Sequence, residues 1–306
     1  MTKLTETFGP GGLWQAQPPA LRGALLMCLS TMCFAVMHAT IRHVSAELPP
    51  MEIAFFRNVF GLVALMPFLI ANRFAQLRTG RLGLHALRGL VNIGAMLLFF
   101  TALSITPLAK VTALSFTAPV FAAVLSVVFL GERFRIHRWL AILMGFAGML
   151  IVLRPGLTVV ETGALMALGA SVLWAVAMIL IKILSRTESS LTITAYMGIF
   201  LGLFSAGPAI WVWQTPSLPA WGLLLFIGLI GSGAQVSLAQ ALKESEPGAV
   251  LPFDFLKLIW AALLGVWLFG EIPDRYTLIG AGIIFCASLY IAHRERAAAR
   301  ARSLQA

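Results

Sequence analysis

The chain has 306 residues, 59% of them hydrophobic and only 11% charged, with a mean hydropathy of +0.91. A soluble globule draws about 25% of its residues from the charged set, so an ordinary water-soluble domain is excluded. The net charge of +10 does not mark a nucleic-acid binder either, because most of the basic residues fall in or beside the short breaks between apolar runs.

Those runs are continuous and lack the alternation of ten-residue strands, which argues against a membrane β-barrel. In chain order they predict ten membrane-spanning helices, at about 22–43, 51–71, 84–104, 108–130, 136–153, 162–183, 191–213, 219–241, 248–269 and 275–293. The first run follows about twenty polar or mixed residues and is long enough to cross, as a retained helix does and a cleaved signal peptide does not. Pro49-Pro50, Pro155-Gly156, Pro216 with Pro219, and Pro273 punctuate short connections. Cys28, Cys33 and Cys286 lie inside spans, at spacings that offer neither a disulfide framework nor a metal-ligand set.

With the amino terminus placed in the cytoplasm, the inner segments collect Lys3, Arg22, Arg73, Arg78, Arg81, Arg88, Arg133, Arg135, Arg138, Lys182, Arg186, Lys243 and the tail arginines from Arg294 onward. The outer segments hold Arg42, Lys110, Arg154 and Arg275. This positive-inside bias places both termini in the cytoplasm and makes the basicity a topology signal.

The chain also repeats itself. Gly23-Ala24-Leu25 with Phe34-Ala35-Val36 recurs about 140 residues later as Gly163-Ala164-Leu165 with Trp174-Ala175-Val176, and Leu130-Gly131-Glu132 recurs as Phe269-Gly270-Glu271. Each copy holds five spans, an odd number, so the second must lie upside down relative to the first. The expected fold is an all-α integral membrane protein, two inverted five-helix repeats around a central cavity. Its parts are a cytoplasmic tail (1–20), a first repeat (21–155), an inverted second repeat (156–293) and a basic cytoplasmic tail (294–306).

A Gly-Glu pair at a helix end, repeated inside ten apolar spans, resembles the EamA-type carriers of the drug/metabolite transporter superfamily. The resemblance runs from Arg22 to Ala292 and rests on Pro119, Leu130-Gly131-Glu132-Arg133, Gly145 and Gly148, then Leu268-Phe269-Gly270-Glu271, Gly280 and Gly282. It implies export of amino acids or related metabolites across a bacterial inner membrane, without a cofactor. In its plain structural role the glycine ends one helix and the glutamate stands at the amino terminus of the next, where free N–H groups favour an anion.

Charges within spans point to candidate substrate-binding residues, since each costs about 2.5–3.5 kcal/mol at a helix centre. Lys257 lies near the middle of the ninth span with Asp254 one turn earlier on the same face, and Arg57 lies about two turns into the second. The pair either neutralises itself or presents a cation and an anion to a zwitterionic solute. Arg57 either reaches up to the interface or faces the substrate path. Trp174, at the position matching Phe34, and Trp260 supply rings that otherwise serve packing, while Asn92 and Gln235 serve interhelical hydrogen bonding or the site. His38 is either a packed hydrogen-bonder or a titrating group. Trp211 and Trp213 read as interfacial anchors.

The leading expectation is a secondary carrier that exports small metabolites, most readily amino acids and possibly aromatic ones, by alternating access. Uptake of a larger metabolite such as a nucleoside derivative or a vitamin is the alternative. No GxxxxGK[ST] motif suggests ATP use, and no HExxH, GxSxG or carboxylate cluster suggests a membrane-embedded enzyme. A channel would want rings of like groups. The expected partners are a small-molecule substrate and the lipid bilayer, with no nucleic acid and no metal, in a monomer or a homodimer.

Overall fold

The computed structural model describes residues 17–71, 79–130, 136–154, 161–188, 190–244 and 250–303, and among these the ordered elements are all helical. In chain order they are α1 (Pro19–Val44), α2 (Pro50–Ala71), α3 (Leu82–Ile105), α4 (Leu108–Ser115), α5 (Ala118–Leu130), α6 (Ile136–Leu153), α7 (Thr162–Leu184), α8 (Ser190–Trp211), α9 (Leu218–Glu244), a 3₁₀ segment (Leu251–Phe255), α10 (Leu256–Phe269) and α11 (Arg275–Ser303).

Among the described residues, six segments have the length and hydropathy to cross a bilayer: Leu21–Val44, Leu82–Ile105, Leu108–Phe129, Thr162–Leu184, Thr192–Trp211 and Leu218–Glu244. Trp139–Leu153 and Arg275–Tyr290 are shorter apolar helices. Two expected spans are interrupted. The fourth breaks at Phe116-Thr117 into α4 and α5, and the ninth begins as a 3₁₀ turn before α10. The last helix continues through Ser303, past the boundary at 293 that its apolar run suggested. Gly131 and Glu132, the first copy of the Gly-Glu pair, lie outside the described residues.

Proline sets much of the punctuation. Pro19 opens α1, where its missing N–H goes unused. Pro107 takes extended backbone ahead of α4. Pro119 cannot donate to the Ser115 carbonyl, and the chain tightens there: Phe116 N–H donates to Ala113 and Thr117 N–H to Leu114, one residue closer than in an α-helix. Gly270 ends α10 at φ +66°, a left-handed conformation suited to glycine, which confirms the helix-ending role expected of the second Gly-Glu.

The most extensive helix packing joins the two halves of the chain: α1 with α9, α3 with α7, α6 with α11 and α2 with α8. Inside a bilayer such contacts depend on close fit, so small residues mark the crossings. Gly148 and Gly280 are each other's nearest obstacle. A Cβ on Gly148 would lie 2.8 Å from the Gly280 carbonyl oxygen, and one on Gly280 would lie 2.6 Å from that of Gly148. Gly231 on α9 admits the Met37 sulfur, 2.7 Å from where a Cβ would stand. Ser30 adds a hydrogen bond to the Ala234 carbonyl (2.8 Å) across the α1–α9 contact.

Because backbone blocks both sides of the α6–α11 crossing, neither glycine can be enlarged without separating the helices. Gly148→Leu or Gly280→Leu is expected to destabilise the detergent-purified protein by about 1–3 kcal/mol, read as a lower melting temperature. Gly202→Ala, which meets nothing within 4 Å, should leave it unchanged. Unaltered melting of both leucine variants would contradict the crossing.

Candidate substrate site

The site grows from the two interruptions. Phe116, at the α4–α5 break, and Phe255, at the end of the 3₁₀ segment, occupy matching positions of the repeat, about 139 residues apart. Their rings meet at 6.1 Å, and Phe285 of α11 closes the group at 4.4 Å from Phe255 and 6.1 Å from Phe116. Carbonyls loosened by the break are satisfied by side chains: the Ser171 hydroxyl donates to Leu114 (3.1 Å), Ser288 to Phe116 (2.9 Å) and Thr117 to Leu114 (2.6 Å). Irregular backbone survives at membrane depth only with such partners.

Asp254 lies in the 3₁₀ segment and Lys257 in the first turn of α10, and their side chains form an ion pair at 2.9 Å. Their side chains remain 29% and 19% exposed, enough to reach a ligand as well as each other. The Lys257 ammonium also stands over the faces of Phe34 (5.3 Å) and Phe116 (5.8 Å), whose π clouds favour a cation. Rings continue the wall: Phe34 neighbours His38 (6.2 Å), His38 meets Phe99 edge-on (5.0 Å), and Phe99 meets Trp174 (5.0 Å). Thus Lys257, Asp254, His38 and Trp174, drawn from α1, α7 and the 251–257 bend, stand in one chain of contacts.

Arg57 is near this group but separate from the ion pair. It donates to the adjacent Asn58 carboxamide oxygen (2.9 Å) and lies beside Gly231, where Met37 also enters. It therefore points into the bundle, not up to the interface. Asn58 donates in turn to the Leu201 carbonyl (3.3 Å). His38 and Lys257 share the Phe34 ring, and the His38 Nδ1 is buried without a hydrogen-bond partner.

The remaining sequence candidates stand outside these contacts. Asn92 is half-buried, two turns before Phe99 on α3. Gln235 is exposed, one turn beyond Gly231 on α9. Trp260 is half-buried, and its indole N–H is buried without a partner. Trp213 packs on Phe56 at 5.7 Å and Trp211 is 90% exposed, as suits an anchor. Phe99, Phe116 and Phe255 escaped the sequence reading, although Pro119 and the matching spacing of Phe116 and Phe255 would have flagged the last two.

One end of the bundle is closed by ion pairs. Arg42, at the end of α1, pairs with Glu271 and donates to the carbonyls of Leu103 (2.8 Å) and Thr106. The other oxygen of Glu271 accepts the Leu108 N–H (3.0 Å). The glutamate thus caps a helix, but α4 in the other half of the chain and not α11, the next helix. Asp274 caps α11, accepting from the backbone N–H groups of Tyr276 (2.9 Å) and Thr277 (3.1 Å) and pairing with Arg154 at 3.2 Å.

Partial burial pushes the Asp274 carboxyl up, but the Thr277 hydroxyl and N–H, the Arg154 charge and the Tyr276 N–H outweigh it and hold the acid below its ordinary range. A depressed carboxylate keeps its stabilising charge above its unfolded value and loses it only as pH falls through the folded one, so this tie holds at neutral pH. A cavity of about 100 Å³ between Lys110, Arg154, Glu161, Glu271 and Asp274 is large enough for a few waters but not a metabolite. At the opposite end, Arg22 pairs with Glu244 (2.8 Å) and Thr79 donates to Glu188 (2.6 Å).

Removing one member of the central pair strands the other. Lys257→Met is expected to destabilise the protein by about 1–3 kcal/mol, the partial exposure tempering a buried-pair cost. Adding Asp254→Leu should return stability towards wild type in the same melting assay. A double variant no more stable than Lys257→Met would contradict the geometry.

Comparison with known proteins agrees with this architecture. The chain matches the EamA-like transporter family twice, over residues 21–154 and 161–292. It is 32% identical over 257 residues to the S-adenosylmethionine uptake transporter of Rickettsia bellii, covering 84% of this chain and 88% of that one. It is 31% identical to the riboflavin transporter of Vibrio cholerae (90% and 94% covered) and 30% identical to the pseudopaline exporter of Pseudomonas aeruginosa (90% and 97%). A solved crystal structure shares the fold at 19% identity, with a TM-score of 0.57 over 94% of this chain and 99% of the other. The chain is a multi-pass membrane transporter and belongs to the EamA-like transporter family.

Proposed function

We propose that this transporter is a secondary carrier for a metabolite that combines a zwitterionic amino-acid group with a planar ring, held mid-membrane at Asp254 and Lys257. The observation that carries this reading is the placement of that ion pair at an interrupted helix, against rings contributed by both halves of the chain. Lys257 would receive the carboxylate and Asp254 the ammonium, while Phe34, Phe116, Phe99 and Trp174 flank the ring.

The accompanying topology is ten crossings in two inverted five-helix repeats, with both termini in the cytoplasm of a bacterium. The family match in two copies supports the duplication. The contacts at the two ends support the inversion, because Arg42–Glu271 joins the ends of α1 and α10 while Arg22–Glu244 joins the start of α1 to the end of α9. Discontinuous helices flanking a midplane site are a recurrent device of alternating-access carriers. A carrier of this kind runs down its coupled gradients in either direction, which accommodates relatives named for uptake and for export. Amino-acid export remains the narrower reading, favoured by the ion pair alone. Uptake of a larger ring-bearing metabolite is favoured by the names of the Rickettsia and Vibrio relatives.

The test is counterflow in proteoliposomes with a labelled panel of aromatic and aliphatic amino acids, S-adenosylmethionine and riboflavin, with and without a pH gradient. Saturable counterflow of a ring-bearing zwitterion is expected, reduced about tenfold or more in Lys257→Ala. Wild-type rates in that variant would sink the assignment, and unsaturable flux would point to a channel.

A further inference from the structure

The charges of the central region do not balance. Lys257 is matched by Asp254, but among the described residues no carboxylate lies within ion-pair distance of Arg57. Among the described residues its hydrogen-bond partner is the neutral Asn58 carboxamide. Glu52 is no counter-ion for it: five residues away along α2, it projects from a different face, and its Oε2 accepts the Gln214 N–H (3.0 Å). His38 lies between the two cations, sharing Phe34 with Lys257 and following Met37, whose sulfur meets Gly231 beside Arg57, and an imidazole adds no negative charge. An unmatched guanidinium at membrane depth is costly, and a guanidinium presents its donors in a fork that fits a carboxylate in two hydrogen bonds.

We infer that Arg57 is a second anion subsite, so that the solute carries a carboxylate at the end remote from its amino-acid group and is a net anion. The inference rests on the zwitterion reading of Asp254 and Lys257 and extends it across His38. The solute then spans the aromatic wall, with its ring beside Phe34, His38 and Phe99 and an anionic group at either end. Binding neutralises the excess cation, so an occupied site crosses the membrane with less buried charge than an empty one.

Three probes differing only at the far end of one ring separate the possibilities: L-phenylalanine, 4-carboxy-L-phenylalanine and 4-(aminomethyl)-L-phenylalanine. Each is titrated against the melting temperature of the full-length, detergent-purified protein. The carboxylated probe should act at a concentration about tenfold or more below L-phenylalanine, with the cationic probe weakest. Arg57→Gln should erase that order, and Arg57→Lys should keep it in reduced form. Because no carboxylate partner is lost, Arg57→Gln should melt no lower than wild type. Stabilisation by L-phenylalanine with no advantage for the carboxylated probe would overturn this inference alone. A response to none of the three would remove the zwitterion reading with it, and a marked loss of melting temperature in Arg57→Gln would make the guanidinium a structural element.

Discussion

A bilayer offers no hydrogen-bond partner to an interrupted helix, and the whole arrangement follows from how this chain meets that constraint. Pro119 removes one backbone donor, and the tightened turn at Phe116-Thr117 displaces others. Hydroxyls from three elements, Thr117, Ser171 and Ser288, take up the carbonyls. The second half meets the same demand with a 3₁₀ turn at 251–255. Both irregular stretches are thereby pinned where Phe116 and Phe255 touch, and Asp254 and Lys257 project beside that contact. Backbone satisfaction is the cause, and the clustering of charge and rings is its consequence.

The ion pairs at the ends obey a related logic. Glu271 binds the Arg42 side chain and the first N–H of α4, so one carboxylate holds the end of α10 against two helices of the other half. Under the carrier reading, opening that end parts Glu271 from both. The cavity of about 100 Å³ beside these ion pairs is small next to a typical ligand pocket. The glycine crossing of α6 with α11, by contrast, locks backbone to backbone and suits a part of the frame that keeps its contacts while other helices move.

Much of the fold was legible in the sequence because hydropathy and repetition are read directly from it. Apolar runs marked most helix ends to within a few residues, though not the two interruptions or the extension of the last helix to Ser303, and the Gly-Glu pair announced the helix end that Gly270 makes in left-handed geometry. The candidate site is legible where charge is rare: Lys257, Asp254 and Arg57 stand out in an apolar chain by their expense alone. What escaped was partnership across the halves. Glu271 looked like the cap of its own next helix, yet it caps α4, because sequence proximity says nothing about which helix end is nearest in space. Phe99 and Phe116 were hidden among many phenylalanines, and nothing local distinguishes a ring that faces a cation from one that faces lipid. Asn92 and Gln235 show the converse, polar residues within spans that do not join the contacts around Lys257.

The central claim is that a single mid-membrane site is reached alternately from either side. Ser115 is the first-repeat counterpart of Asp254, half-buried beside the Phe116 break. In a background with Cys28, Cys33 and Cys286 replaced, labelling of Ser115→Cys by a membrane-impermeant thiol reagent measures this directly, with the reagent on one side of oriented vesicles and then on the other. The account predicts labelling from both sides, slowed by transported solute. Labelling confined to one side, whatever the solute, would contradict it.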